Sequence, residues 1–265
     1  MIVIKLGGSI LQGDISGFLQ DLETLPRGGF ILVHGGSDIV DEVAAKMGEP
    51  QKYIVSPSGF RSRYNDRRTI EIFQMVVAGR VNKDLVAKLQ SHGIDALGLS
   101  GMDGHLIQGR RKKRIKSVED GVVKIIEDDY SGIIRRVNAK LLKKILEMGC
   151  TPVIAPLAMG EEYEPLNVDG DRLAASIAGA VGAEKIIFFT DVPGYLSQGR
   201  LVPEIRGDEI EKVLEEAKGG MKKKIYAARE ALKLGVGEAI IASILKEQPL
   251  TKALKHIDCT VISLE

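Results

Sequence analysis

Ile2-Val3-Ile4-Lys5-Leu6-Gly7-Gly8-Ser9, followed by Phe30-Ile31-Leu32-Val33-His34-Gly35-Gly36-Ser37, decides the fold. Each stretch is a short β-branched run that ends on a glycine pair. The second stretch leads straight into helical spacing, and the first does so from about Asp14. Apolar residues at successive positions mark strands buried on both faces, as in a parallel sheet covered by helices.

The alternation continues outward from these two units. Residues 66–91 form a long helical stretch with Ile70, Phe73, Val77 and Val81 at helical spacing, and Gly79 within it marks a kink or a close packing contact. Residues 94–99 read as a strand. Residues 105–108, 121–126 and 132–137 are shorter alternating pieces, which predict hairpins laid against the main sheet. Leu141, Leu142, Ile145 and Leu146 stripe one helix, and 151–157 is a buried strand. Helices are predicted over 173–181, 209–218 and 221–234, with strands over 185–189, 238–242 and 260–262. The fold class is α/β: an open, mostly parallel sheet between helical layers with added β-hairpins.

The length of 265 residues fits one large domain or two tightly joined lobes. At 44% hydrophobic and 28% charged, the composition suits an extensive core and excludes disorder, a fibre or a disulfide scaffold. Lys+Arg 37 against Asp+Glu 36 leaves a formal net charge of +1, so any basic site is local. No apolar run approaches the ~20 residues of a membrane helix, and the first residues lack the charged-then-apolar layout of a signal. Cys150 and Cys259 lie far apart in no metal-like spacing, which points to a reducing cytosol. With no Trp and 5% aromatics, a base-stacking nucleic-acid surface is not expected.

The chain has no G-x-x-x-x-G-K-[ST], H-E-x-x-H or G-x-S-x-G. Gly235-Val236-Gly237 has Ile240 where a dinucleotide fingerprint needs glycine and follows a helix. Asn167, Asp169 and Asp171 imitate a calcium loop, but Arg172 and Ala178 occupy the required glycine and glutamate positions. What remains are two glycine turns at strand ends, where backbone N–H groups and a helix N-terminus converge on an anionic oxygen. Lys5 stands two residues before the first pair. Gly219-Gly220-Met221-Lys222-Lys223-Lys224 opens a helix three residues before a second lysine. Phosphoryl transfer needs cations on both sides of the moving group, and two lysines from opposite ends of the chain meet that need.

Lys5-Leu6-Gly7-Gly8-Ser9, His34-Gly35-Gly36, Arg63 before the long helix, Asn167-Val168 with Asp171, Thr190-Asp191-Val192-Pro193-Gly194 and Gly219-Gly220-Met221 with Lys224 resemble the amino acid kinase family, N-acetylglutamate kinase branch. The resemblance implies phosphorylation of a carboxylate by ATP, with Mg²⁺ brought by the nucleotide. It implies that Lys5 and Lys224 stabilise the transition state and that Asp171 organises both lysines. Gly35, Gly36, Arg63 and Asn167 would bind the acidic substrate. Gly7, Gly8, Thr190, Asp191, Val192, Gly194, Gly219, Gly220 and Met221 would line the nucleotide site. One domain, 1–265, would then comprise an acyl-substrate lobe over 1–165 and a nucleotide lobe over 166–265. Ser37 departs from the family's HGGG, and a residue with a Cβ resists φ > 0, so a slightly different turn is expected there.

Ser56-Pro57-Ser58-Gly59-Phe60-Arg61-Ser62-Arg63-Tyr64 resembles the loop of the branch acting on 2-aminoadipate or glutamate attached to the acidic LysW amino-group carrier protein. Arg61 would add a second guanidinium for an extra carboxylate. Arg110, Arg111, Lys112, Lys113, Arg114 and Lys116 form a basic run in an otherwise neutral chain, expected on a hairpin as a cationic rim for an acidic carrier. A solvated charge run is the plain alternative. The leading expectation is a cytoplasmic kinase of lysine and, as an open option, arginine biosynthesis. An N-acetylglutamate kinase acting on the free molecule is the runner-up, and a non-catalytic regulatory protein is the reading from another class. The resemblance implies a homodimer through residues 66–91, without nucleic acid or membrane. His34 reads as a strand-end packing residue, both cysteines as core, and Asp66 and Asp103 as caps.

Overall fold

The computed structural model describes residues 1–57, 59, 61–119 and 122–264. Ser58 and Phe60 of the arginine-bearing loop, and Gly121 of the expected 121–126 strand, lie outside the described residues. The strands are β1 (Ile2–Leu6), β2 (Phe30–His34), β3 (Tyr53–Val55), β4 (Arg61–Arg63), β5 (Ala96–Ser100), β6 (Ile107–Arg111), β7 (Arg114–Glu119), β8 (Val122–Glu127) and β9 (Gly132–Val137). The second half adds β10 (Thr151–Ala155), β11 (Leu157–Met159), β12 (Pro165–Asn167), β13 (Lys185–Thr190), β14 (Leu196–Ser197), β15 (Arg200–Leu201), β16 (Glu204–Ile205), β17 (Glu238–Ser243) and β18 (Cys259–Ile262). The helices are α1 (Ser16–Leu22), α2 (Ser37–Lys46), α3 (Arg67–Gln74), α4 (Asn82–Ser91), α5 (Ala139–Glu147), α6 (Gly170–Val181), α7 (Glu209–Glu216), α8 (Gly219–Lys233) and α9 (Pro249–Leu254).

The main sheet has the order β16-β18-β17-β13-β1-β2-β10-β5. From β17 to β5 neighbouring strands are parallel, whereas β18 joins β17 antiparallel. β1 sits centrally, with Lys5 opposite Phe188 on one side and Val33 on the other. From there the chain goes first to β2 and later to β13, on opposite flanks. That reversal opens a crevice beyond the carboxyl ends of β1, β2 and β13, where open α/β sheets bind ligands.

Period-2 alternation sorts the core into two layers. Val3, Ile31, Val33, Ile186, Phe188 and Ile241 pack with Leu173, Ala174, Ile177, Ile225 and Ala228 of α6 and α8. Ile4, Leu6, Leu32, Ile187, Phe189 and Ile240 pack with Phe18, Leu22, Leu85, Leu89 and Leu250 on the opposite face. Lys5 shares the face of Val3 and therefore points toward the start of α6. A second sheet, β12-β11-β6-β9, and the β7–β8 and β3–β4 hairpins are added to the main sheet. Among the described residues, no helix is long and apolar enough to cross a membrane.

Several expectations change in detail. The 66–91 stretch is α3, a π-helical segment Met75–Val81, and α4. Gly79 lies inside the π segment, and a Cβ there would meet nothing within 4 Å, so it marks the irregularity and not a packing contact. The basic run does not lie on one hairpin: it spans the end of β6, which pairs with β9, and the start of β7, which pairs with β8. Cys259 is buried, its thiol pushed up to about 11 by desolvation, but Cys150 is only half-buried. Asp66 caps α3 by accepting from Thr69 N at 2.8 Å, and Asp103 holds a turn through Ser100 N at 2.6 Å.

Candidate active site

Asp171 is the second residue of α6, and the side chain of Asp169 before it caps the helix, accepting from the N–H groups of Asp171 and Arg172. This places the Asp171 carboxylate at the mouth of the crevice. Lys5 Nζ stands 2.6 Å from Oδ1 and Lys224 Nζ 3.6 Å from Oδ2, with Lys5 and Asp171 buried and the Lys224 side chain 12% exposed. Burial alone would raise the Asp171 carboxyl, but the Lys5 ammonium and then that of Lys224 outweigh it and hold the group below the ordinary aspartate value. Desolvation pulls Lys224 below the ordinary lysine value against the attraction of Asp171, and Lys5 adds to the depression. Two cations share one buried anion. The cluster therefore carries excess positive charge in a low-dielectric setting, which suits a polyanionic ligand.

The two glycine turns pack against each other. A Cβ on Gly8 would lie 2.7 Å from Gly36 N, and one on Gly35 would lie 2.8 Å from Gly8 N. Any side chain at either place drives the turns apart. Gly35 N donates to Leu6 O and Gly7 N to Phe189 O, tying the turns of β1, β2 and β13 together. The positive φ falls on Gly36, at 155°, and Ser37 takes helical angles as the first residue of α2, so the departure from HGGG requires no strained serine. His34 is fully buried: Asn82 Nδ2 lies 3.1 Å from its Nε2 and Gly35 O 2.7 Å from its Nδ1. Desolvation lowers its pKa to about 4. It is a neutral structural residue, as the sequence implied.

Arg63, at the end of β4, is buried with its guanidinium inside the protein. Nη1 donates to Asp41 Oδ1 at 2.6 Å and Gln51 Oε1 at 2.8 Å. Nη2 donates to Ser37 Oγ at 2.7 Å, Ser37 O at 3.0 Å and Tyr53 Oη at 3.0 Å. Arg61 instead is exposed, its guanidinium carbon 3.8 Å above the Tyr53 ring. Asn167 Nδ2 donates to Asn65 Oδ1 at 2.9 Å, and Asn65 Nδ2 donates in turn to Arg63 O and Ser131 Oγ. Asn167 and Arg63 are thus joined through Asn65.

On the other flank, the 190–194 turn leaves β13 beside the Gly7-Gly8 turn. Thr190 Oγ1 donates to Asp191 Oδ1 at 3.0 Å, Asp191 is exposed and Val192 half-buried. Gly194 lies against Thr260, whose Oγ1 accepts from Tyr195 N. Gly219 and Gly220 are exposed and Met221 half-buried in the first turn of α8, one turn before Lys224. Lys223 Nζ donates to Arg61 O at 3.0 Å, linking α8 to the β3–β4 hairpin.

The basic run divides by strand partner. Arg111 turns inward, its guanidinium carbon 3.5 Å over Tyr130 and its Nε donating to Asp129 O. Lys112 is half-buried, and desolvation lowers its pKa. Lys113 pairs with Glu162 and Arg114 with Glu127. Arg110 and Lys116 are exposed.

Sequence reasoning missed Asp41, Tyr53, Asn65 and Asp129. Asp129 accepts from Asn65 N and Ser131 N and is fully buried. Asn65 was within sight, two residues after Arg63, but an Asn in a polar loop carries no signal until its partners are known.

The sequence pattern of the amino acid kinase family matches residues 1–243. A protein of Cenarchaeum symbiosum, provisionally named a [LysW]-aminoadipate/[LysW]-glutamate kinase, is 47% identical over 263 residues, covering 99% of each chain. The [LysW]-aminoadipate kinase of Thermus thermophilus is 42% identical over 263 residues, covering 96% of this chain and 97% of its own. The structure of N-acetylglutamate synthase from Neisseria gonorrhoeae, complexed with coenzyme A and N-acetyl-glutamate, superposes with a TM-score of 0.81 at 25% identity. All of this chain is covered, and it spans 59% of the synthase's length. With that match and these full-length relatives, the chain belongs to the amino acid kinase family.

Proposed function

We propose that the protein uses ATP to phosphorylate the side-chain carboxylate of 2-aminoadipate, and of glutamate, attached through the amino group to an acidic LysW-type carrier protein. The observation that carries this reading is Asp171 held between Lys5 and Lys224 in the crevice beyond β1. The full-length likeness to [LysW]-aminoadipate kinases supports the acceptor.

A carboxylate oxygen of the acceptor attacks the γ-phosphorus of ATP, the bond from phosphorus to the β–γ bridging oxygen breaks, and ADP leaves. The acceptor is already ionised at neutral pH, so no proton is abstracted and no base is needed. Lys5 and Lys224 neutralise the charge that spreads over the transferring phosphoryl and the leaving oxygen. Asp171 fixes both ammonium groups in place. Among the described residues the N–H groups of Gly8 and Gly36 meet no backbone acceptor, which suits anionic oxygens. Gly7, Thr190, Asp191, Val192, Gly194, Gly219, Gly220 and Met221 line the nucleotide side, in the 166–265 lobe together with β1. Gly35, Arg61 and Arg63 belong to the acyl side, in the 1–165 lobe, and Asn167, just past that boundary, joins them through Asn65. The nearby acidic groups are already engaged, Asp171 with two lysines and Asp169 with a helix cap. Mg²⁺ therefore enters on the nucleotide's phosphates.

Arg110 and Lys116, with Lys113 and Arg114 beside them, form the cationic edge for the carrier. Residues 66–91, with Met75 exposed on the π segment, form the face of a homodimer. Two free thiols suit a cytoplasmic enzyme of lysine and arginine biosynthesis. Hydroxylamine trapping of the acyl phosphate tests the reading, comparing carrier-attached aminoadipate and glutamate with free N-acetylglutamate. Turnover confined to the carrier-attached acceptors upholds it. Equal turnover of free N-acetylglutamate assigns the protein to the small-molecule reaction instead.

A further inference from the structure

Residues 129–131, between β8 and β9, carry a buried knot of hydrogen bonds that the phosphoryl-transfer step does not use. Asp129 is fully buried, and its carboxylate accepts from Asn65 N at 3.0 Å and from Ser131 N at 2.7 Å. Tyr130 N donates to Asn65 O at 2.7 Å, and Tyr130 O accepts from Asn167 N at 2.9 Å. Arg111 Nε donates to Asp129 O and Lys112 N to Ser131 O, each at 2.9 Å, which fastens the same loop to the end of β6. The knot therefore ties the main chain of Asn65 and of Asn167 to one residue, although the two stand 102 positions apart.

Inside that frame the side chains form a relay with a fixed direction. Asn65 is 1% exposed, and its Nδ2 donates to Arg63 O and to Ser131 Oγ, each at 2.9 Å. A peptide carbonyl can only accept, so the atom of the Asn65 amide that faces Arg63 O must be the nitrogen. Asn65 Oδ1 is thereby turned to Asn167 and accepts from its Nδ2 at 2.9 Å. The Asn167 amide is oriented in turn, which leaves its Oδ1 and its second Nδ2 hydrogen outside this set of bonds. An asparagine free to flip presents donor and acceptor interchangeably, whereas an oriented one distinguishes a ligand's N–H from its oxygens. We propose that Asn65 is a positioning residue that sets which way the Asn167 amide faces, so that Asn167 meets the acceptor with Oδ1 and one N–H in fixed places. This rests on the reading of Asn167 as an acyl-side ligand, whereas the orientation itself is a property of the unliganded chain.

Two measurements on the full chain test it. The first follows the side-chain amide protons of Asn167 by nuclear magnetic resonance of isotope-labelled protein without ligand. They are expected to exchange with solvent about tenfold faster in Asn65→Ala than in the wild-type chain, the scale of one lost buried hydrogen bond. Equal exchange in the two proteins overturns the proposal, as does a wild-type amide that exchanges as fast as an asparagine in an unstructured peptide. The second is a double-mutant cycle on kcat/KM for carrier-attached 2-aminoadipate in hydroxamate formation, with Asn65→Ala, Asn167→Ala and the pair. Asn65→Ala is expected to lower kcat/KM about tenfold when Asn167 is present and less than about twofold when it is alanine, with KM for ATP unchanged. The same factor in both backgrounds makes Asn65 a packing residue only and overturns the proposal. If Asn65→Ala does not fold, Ser131→Ala, which removes one acceptor of Asn65 Nδ2, takes its place with an expected factor of about threefold. If the wild-type chain yields no hydroxamate, the acyl-side reading of Asn167 fails, and the role of Asn65 toward an acceptor fails with it; the exchange measurement still decides how the Asn167 amide is held.

Discussion

The Nζ of Lys5 lies 2.6 Å from Oδ1 of Asp171, a buried ion pair between the penultimate residue of the central strand and the first turn of a helix far along the chain. Lys224 reaches the other carboxylate oxygen, so one aspartate fixes two cations that otherwise repel each other. Burying charges is costly unless they are paired, and removing one partner leaves the others uncompensated.

Asp171→Asn keeps the shape and removes the anion. It is expected to lower kcat about 100-fold or more, with a lower melting temperature at neutral pH. Hydroxamate kinetics together with thermal unfolding check both. Full activity in Asp171→Asn would rule out the organising role.

Lys224 must be charged to act, and burial sets its pKa below the ordinary lysine value. Activity is therefore expected to fall as pH rises through that depressed pKa, before an ordinary lysine would lose its proton. Lys224→Arg, whose side chain stays protonated, should lose rate but move the alkaline limb to higher pH. A pH–rate profile of both proteins is the check.

His34 titrates near 4 in the folded chain and near 6.5 when unfolded. Between these values the unfolded chain binds a proton that the native chain does not. Stability therefore declines as pH falls from about 6.5 to about 4, by up to about 3 kcal/mol from this group. His34→Gln should flatten that part of the curve in chemical denaturation measured across the range.

The basic run predicts two different phenotypes. Arg110→Glu and Lys116→Glu should raise KM for a carrier-attached acceptor by roughly tenfold at low salt, an effect that shrinks as salt is added. Arg111→Ala should instead lower the melting temperature, because it removes the cation stacked on Tyr130 and bonded to Asp129 O. Salt-dependent kinetics and thermal unfolding separate the two.

The central sheet was legible because its strands obey a local rule. The run from Ile2 to Leu6 is apolar on both faces, so burial is written into consecutive residues, and the same holds for Phe30–His34 and Lys185–Thr190. The β3–β4 hairpin was not legible: Tyr53–Val55 and Arg61–Arg63 are three residues each, with no alternation to mark them. The π segment was hidden for a different reason. Its residues keep helical spacing, and one extra residue per turn shows only as a small shift in which side chains face Gly36.

The sequence by itself determined that Lys5 lies next to last in a buried strand, that Lys224 sits on an early turn of a helix, and that glycines flank the strand ends. These follow from periodicity and from backbone sterics, which act between near neighbours. Only the tertiary structure decided which charges meet. Asp171 stands out in the sequence only through the family resemblance, since no local rule pairs it with either lysine, and it receives both because β1, α6 and α8 converge at one edge of the sheet. Arg61 and Arg63 are the same residue type on the same strand, and one is exposed beside the Tyr53 ring while the other is buried among Ser37, Asp41, Gln51 and Tyr53. Partners for a charged side chain come from whichever elements pack beside it. Electrostatics and hydrogen bonding depend on distance in space, which local sequence does not encode.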